Sequence, residues 1–298
     1  MSKLLFISIL LSFTFVLESQ VTVHGAKKLL TEFEKSTLNI VGVDTALQKM
    51  YLRVIKKELP FNTIVFLKND NFLNHLKLDD YYMVNLNANV SGDYGYLRSW
   101  SSLVVFKATK RIMNVINKNK DLNYTTIRAC LEFPIEIKKF GLNQKPEADT
   151  LSNTGTVDRY NFGVLKNNMQ QVVNACKKGK DIVFIKDYAD KKKLSILKQD
   201  TLFIVQNNPI RNYLPDMFKK VYPYKYKFIS HDSLEDLLLN SNKDFYYLHF
   251  DYSSRSMTNQ ISIVNSLSGD QIFHDQSITV NLLSERMLKM IIEKIGAK

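Results

Sequence analysis

The stretch Lys180–Ser230, KDIVFIKDYADKKKLSILKQDTLFIVQNNPIRNYLPDMFKKVYPYKYKFIS, decides the fold class. Three short runs rich in β-branched and aromatic residues lie in it, at Ile182–Ile185, Leu202–Val205 and Tyr224–Ile229. Each is bounded by charged or Asn-Pro segments, as buried or half-buried strands are. Between the second and third runs, Ile210–Lys220 carries apolar residues at helical spacing. Strand, helix and strand within about thirty residues match the length of a βαβ unit, so the stretch predicts an α/β fold.

The rest of the chain extends this α/β pattern in both directions. The segments upstream predict helices and strands at Ala26–Leu38 (helix), Asp44–Leu59 (helix), Thr63–Leu67 (strand), Tyr81–Leu86 (strand), Leu103–Phe106 (strand), Ala108–Asn119 (helix) and Gly163–Cys176 (helix). Those downstream predict a helix at Asp232–Leu239, a β-meander at Phe245–Tyr252, Gln260–Asn265 and Gln271–His274, and a helix at Ser284–Ile295. The meander excludes a strictly parallel sheet. We therefore predict an α/β fold with a mixed β-sheet, flanking helices and a C-terminal β-meander followed by a helix.

The first residues predict the cellular address. Lys3 gives a positive start, Leu4–Leu17 is a nearly unbroken apolar run, and small residues follow at Gly25 and Ala26. This order is that of a secretory signal peptide. The apolar run is shorter than the roughly twenty residues that span a bilayer. We predict a signal peptide over residues 1–25, and a soluble, periplasmic or secreted mature protein without a membrane span.

Composition along the mature chain suggests two lobes. Residues 143–162 are rich in Asn, Ser, Thr, Pro and Gly, which predicts a polar loop or linker between lobes at 26–142 and 163–298. Ile64–Asn69 and Ile182–Asp187 match at four of six positions, which would fit two related lobes. Buried strands of any origin converge on Ile, Val and Phe, however, so the match alone leaves both alternatives open.

The net charge raises the question of an anionic partner. The formal net charge is +12, and lysines cluster at 177–180, 191–193 and 219–220. A basic surface is what a polyanion attracts. Lysine greatly outnumbers arginine, whereas phosphate readers prefer the forked arginine side chain. The charge is therefore first that of an ordinary solvated surface, and as a binding feature it favours an anionic ligand or a cell-envelope protein over nucleic acid.

The C-terminal segments TLFIVQNNPIRNYLPDMFKKVYPYKYKFIS, FYYLHFDY and ISIVNSLSGDQIF, with the closing helix, resemble exported α/β proteins of unknown function from Bacteroidetes-type Gram-negative bacteria. The resemblance covers about the last 120 residues. It implies a periplasmic or secreted address and implies no activity or functional residue.

The candidates for chemistry are few. His249 and Asp251 alternate on one predicted strand, and His274 lies on another, so the three could form a metal site with an open position. The same pattern is ordinary for the solvent face of a strand. Cys130 and Cys176 are the only cysteines. In an oxidising compartment they could form a disulfide, or Cys130 could be buried and Cys176 could carry a stabilised thiolate.

Two further segments are candidates for ligand binding. The loop containing Thr154, Thr156 and Arg159 runs into a predicted helix start, where backbone N–H groups hold anions. Tyr224 and Tyr226 alternate with lysines, which suits stacking on a ligand or a core-facing strand with a basic outer face.

No complete catalytic, metal or nucleotide motif occurs in the sequence. We therefore predict an exported protein that acts by non-catalytic binding and needs no cofactor. The alternative is a metal-dependent hydrolase that uses His249, Asp251 and His274.

Overall fold

The computed structural model of the protein describes residues 21–68, 73, 75–91, 97–119, 129–140, 162–182, 188–205, 214–253, 258–277 and 284–296. The strands are β1 Thr22–Val23, β2 Thr37–Val41, β3 Thr63–Leu67, β4 Tyr81–Ser91, β5 Leu97–Lys107, β6 Ala129–Phe140, β7 Tyr188–Ala189, β8 Leu202–Val205, β9 Tyr226–Ile229, β10 Tyr246–Ser253, β11 Thr258–Asn265 and β12 Gln271–Ser277. The helices are α1 Ala26–Phe33, α2 Thr45–Glu58, α3 Lys110–Asn119, α4 Phe162–Lys178, α5 Lys191–Leu194, α6 Leu214–Val221, α7 His231–Asn240 and α8 Glu285–Gly296, with a 3₁₀ turn at Ser195–Lys198.

The described strands form two six-stranded mixed sheets with the same topology. The first has the order β1-β6-β5-β4-β2-β3 and the second has the order β7-β12-β11-β10-β8-β9. In each sheet the second strand from one end of this order (β2 or β8) runs parallel to both neighbours, and the next three strands form an antiparallel meander. A two-residue strand closes each meander. The α/β fold with mixed sheets and a C-terminal β-meander followed by a helix is thus confirmed, and the two halves share one plan.

The sequence match between Ile64–Asn69 and Ile182–Asp187 does not pair equivalent elements. Ile64 lies in β3, whose counterpart by sheet position is β9. Ile182 instead forms an isolated bridge to Val23, and residues 183–187 lie outside the described residues. The match is therefore the convergence of apolar strand sequences. The relation between the halves is in their topology.

Helices cover both faces of each sheet. On the first sheet, α1, α2 and α4 share one apolar core, whereas α3 packs on the other face. On the second sheet, α6, α8 and the α5 turn share one core, whereas α7 and one residue of α4, Val164, pack on the other. Helix α4 thus lies between the first sheet and the α7 face of the second. The sequence assigned residues 163–298 to the C-terminal lobe, but α4 also contributes to the core of the first half.

Two segments differ from the sequence prediction. The helix expected over Ala26–Leu38 ends at Phe33, and Thr37–Val41 forms strand β2. This strand is buried from Leu38 to Val41, and its place between two parallel neighbours outweighs the helical pattern. The strand expected over Tyr81–Leu86 is longer than predicted, because β4 continues to Ser91 and pairs with β5 along its whole length.

Candidate functional site

A row of polar residues crosses three strands of the second sheet. His249 on β10 lies opposite Ser262 on β11, which lies opposite His274 on β12. Side chains of directly opposed residues leave the sheet on the same face, about 5 Å apart. Ser262 Oγ and His274 Nδ1 are 2.9 Å apart. The sequence identified both histidines but missed Ser262, because only the strand register reveals it.

The Ser262–His274 pair is a buried structural contact. A hydroxyl beside an imidazole is also the start of a nucleophilic dyad. Ser262 is 0% exposed and His274 1% exposed, however, so a substrate cannot reach the hydroxyl in this structure. A satisfied hydrogen bond in the interior fixes the pairing of two strands. We therefore assign the pair to the register of β11 and β12.

The two histidines of the predicted metal site lie on strands that are not neighbours in the sheet. Strand β11 separates His249 from His274, and the Nδ1 atom of His274 is engaged with Ser262. Asp251 pairs with Gln260, two positions along the strand from this row. Within the described part of the chain, no group of three or more His, Cys, Asp or Glu is placed to hold a metal ion.

Both cysteines are free thiols in the structure, so the disulfide allowed by the sequence is not formed there. The Cys130 thiol donates a hydrogen bond to the Val105 carbonyl oxygen at 3.1 Å. Burial raises the pKa of Cys130 to about 12 and the pKa of Cys176 to about 11. Burial and the nearby Asp181 carboxylate both raise the pKa of Cys176, which disfavours the stabilised thiolate that the sequence suggested.

The first turn of α4 is capped by a carboxyl group that the protein itself supplies. Thr154, Thr156 and Arg159 lie outside the described residues, but the helix that follows them begins at Phe162. The Gly163 N–H donates to both carboxylate oxygens of Glu235, at 3.1 and 3.0 Å. A helix N-terminus attracts carboxyl oxygens as hydrogen-bond acceptors, and here α7 provides them. The Gly163 N–H is therefore engaged and is not open to an external anion.

Helix α4 caps α7 in return. Lys166, which is only 6% exposed, donates from Nζ to the Leu238 carbonyl oxygen at 2.7 Å. Leu238 lies in the last turn of α7, where carbonyl groups have no partner within the helix. Burial lowers the pKa of Lys166 and raises the pKa of Glu58, which lies near it. The two helices are thus joined by reciprocal caps. These caps could not be predicted from the sequence, because the residues that form them lie far apart in the chain.

The tyrosines proposed for ligand binding belong to a ring cluster. Ring centroids lie 5.6 Å apart for Tyr222 and Tyr224, and 5.4 Å apart for Phe218 and Tyr226. Tyr222 is buried, whereas Tyr224 and Tyr226 are half-buried. The alternative of a core-facing aromatic strand is therefore the better description, although two rings keep part of their surface in solvent.

Strand β9 combines this cluster with exposed positive charge. It is the last strand in the order of the second sheet. Lys225 and Lys227 are exposed on either side of Tyr226, and Lys219 and Lys220 are exposed at the end of α6. From Phe218 to Ser230 the chain has no acidic residue. We call the four lysines at 219, 220, 225 and 227 the β9 basic edge.

Comparison with known proteins adds no relative. No family model matches the chain, and no curated protein and no solved structure shows significant similarity to it. Within the described residues, no helix is both long and apolar enough to cross a membrane.

Proposed function

We propose that this chain is an exported, non-catalytic binding protein whose β9 basic edge holds an anionic ligand, with a polyanion of the cell envelope as the partner class. The observation that carries the proposal is the β9 basic edge itself. Its four exposed lysines fall within nine residues, and one of them, Lys220, forms an ion pair with Glu285 at 3.6 Å. That contact is shared, because Glu285 also binds Lys289 at 2.9 Å.

The chemistry of lysine indicates the kind of ligand. An ammonium group is a compact point charge without the planar fork that reads one phosphate or carboxylate in two bonds. Exposed lysines at the end of a sheet therefore suit a ligand with many spaced negative charges. Such a ligand gains affinity by releasing condensed counterions, which makes binding sensitive to salt.

The exported address rests on the N-terminal sequence. Lys3, the apolar run Leu4–Leu17 and the small residues after it support a signal peptide. Residues 1–20 lie outside the described residues. Fusion of residues 1–25 to a reporter that is active only after export tests this address. A reporter that stays in the cytosol would contradict it.

Heparin binding measured across a range of salt concentrations tests the ligand site. The test variant is Lys225→Gln/Lys227→Gln, and the control is Lys177→Gln/Lys178→Gln at the exposed end of α4, which loses the same charge. We expect weaker heparin binding for the test variant, and a slope of log K against log salt reduced by roughly two relative to the control. Equal losses in both variants would show that the basic composition, and not the β9 basic edge, attracts the polyanion.

A further inference from the structure

The residues just after the apolar leader are part of the folded core. Val21 and Val23 are both 0% exposed, and both belong to the apolar core of the first half. Strand β1 pairs with β6, with Thr22 opposite Glu132 and Val23 opposite Leu131. The sequence-based cleavage site near Gly25 or Ala26 would remove this strand.

Backbone contacts hold the same segment on its other side. Val23 donates to the Ile182 carbonyl oxygen at 2.7 Å and accepts from the Ile182 N–H at 3.1 Å. The His24 N–H donates to the Cys130 carbonyl oxygen at 2.9 Å. Loss of the segment would leave these partners without their bonds, and each buried orphan costs free energy. The segment is therefore integrated by hydrogen bonds as well as by apolar packing.

Asp181 fixes the point where this segment turns into α1. Its carboxylate accepts from the Gly25 N–H at 3.0 Å and from the Ala26 N–H at 2.7 Å. A chain that began at Ala26 would place a charged amino group at the same carboxylate, so Asp181 is compatible with either N-terminus. Val21 and Val23 distinguish the two possible N-termini, because only a cut upstream of Val21 keeps both buried valines in the mature chain.

We infer that the leader is removed upstream of Val21, by hydrolysis of the Ser19–Gln20 peptide bond. Water adds across this bond and leaves a carboxylate on Ser19 and a free amine on Gln20. Ser19 is the first small residue after the apolar run, and it occupies the last position of the small-x-small pattern that precedes the cut, with Leu17 at the first position. The inference rests on the proposed export, and it corrects the predicted signal peptide of residues 1–25 to residues 1–19.

One experiment determines the N-terminus directly. The full chain is expressed in a secreting host, and the exported product is analysed by mass spectrometry of its N-terminal peptide. We expect Gln20 as the first residue, either free or cyclised with loss of ammonia. A start anywhere from residue 17 to 21 keeps strand β1 and supports an upstream cut, whereas a start at Thr22 or later, Ala26 in particular, overturns it.

A second measurement does not depend on export. Chains that begin at Gln20 and at Ala26 are made without a leader, and their melting temperatures are compared. Loss of two buried valines predicts a melting temperature lower by roughly 5–10 °C for the shorter chain. The exposed pair Lys27→Ser/Lys28→Ser provides a control that should change it little. Equal melting temperatures for the two chains would overturn the inference, whereas failure of export would overturn only the proposed address.

Discussion

Glu235 should make the stability of the protein depend on pH in a definite direction. Burial is the largest influence on its carboxyl group and raises its pKa from 4.5 to about 7, although the backbone N–H groups at the start of α4 act in the opposite direction. Between these two values the folded protein binds more protons at Glu235 than the unfolded chain does. Stability must therefore fall as the pH rises from about 4.5 to about 7.

The size of the effect follows from the same values. A pKa of 4.5 in the unfolded chain and about 7 in the folded protein corresponds to a loss of unfolding free energy of roughly 3 kcal/mol if the shift is expressed in full. Because Glu235 is only partly buried, screening by solvent reduces the expected loss to about 1–2 kcal/mol. Glu235→Gln keeps an oxygen that can accept the Gly163 N–H but carries no titrating proton. It should therefore remove this part of the pH dependence.

Urea unfolding at pH 5 and at pH 8 measures the effect, with Glu293→Gln on the exposed face of α8 as the control. The loss of unfolding free energy on going from pH 5 to pH 8 should be about 1–2 kcal/mol smaller in Glu235→Gln than in the wild type. Other carboxyl groups also titrate, including Glu58, but they are present in both proteins and cancel in the difference. Identical pH dependence in all three proteins would refute the assignment of Glu235 as a cap whose pKa is raised by partial burial.

Three further substitutions test how α4 is held, each by urea unfolding at pH 7. Gly269→Ala should lower the free energy of unfolding by at least 2 kcal/mol, because its Cβ would lie 2.3 Å from the Asn167 carbonyl oxygen. The control Gly179→Ala, also at positive φ but in open space, should lower it by about 1 kcal/mol. Equal losses in the two variants would contradict the close approach of Gly269 to α4. Lys166→Met should cost about 1–2 kcal/mol, since it leaves a carbonyl of α7 without its donor, and a variant as stable as wild type would show that the cap has no net value. Tyr247→Phe should cost about 1 kcal/mol by removing the acceptor 3.1 Å from Asn167 Nδ2, and a gain in stability would argue against that bond.

The sequence predicted best those strands that are short, apolar and sharply bounded. The bounds of β8, Leu202–Val205, and of β3, Thr63–Leu67, agree with the sequence prediction. Strand β2 was missed because Thr37–Val41 follows a helical pattern without a break and contains a polar residue, Asn39. Asn39 is 7% exposed and donates to the Tyr81 carbonyl oxygen, so a tertiary contact satisfies a residue that looks unsuited to a buried strand.

The candidate site shows a different limit. His249 and His274 were visible in the sequence, but their relation depends on Ser262 in the strand between them. The reciprocal caps were invisible for the same reason, because Glu235 lies 72 residues from Gly163 in sequence. Local patterns report periodicity and end signals, and they carry no information about which distant groups will meet. The sequence indicated that the start of α4 could hold an acidic group, but it could not identify Glu235 as that group.

The position of α4 sets the order in which the chain can fold as it emerges from the ribosome. The core of the first half includes Phe162–Cys176, and the Asp181 carboxylate binds the Gly25 N–H across 156 residues. A chain that emerges N-terminus first therefore cannot complete its first core until more than half of its length is available. During that interval the apolar face of α1, with Leu29 and Phe33, lacks its helical partner, so this is the stage at which the protein most needs protection from aggregation.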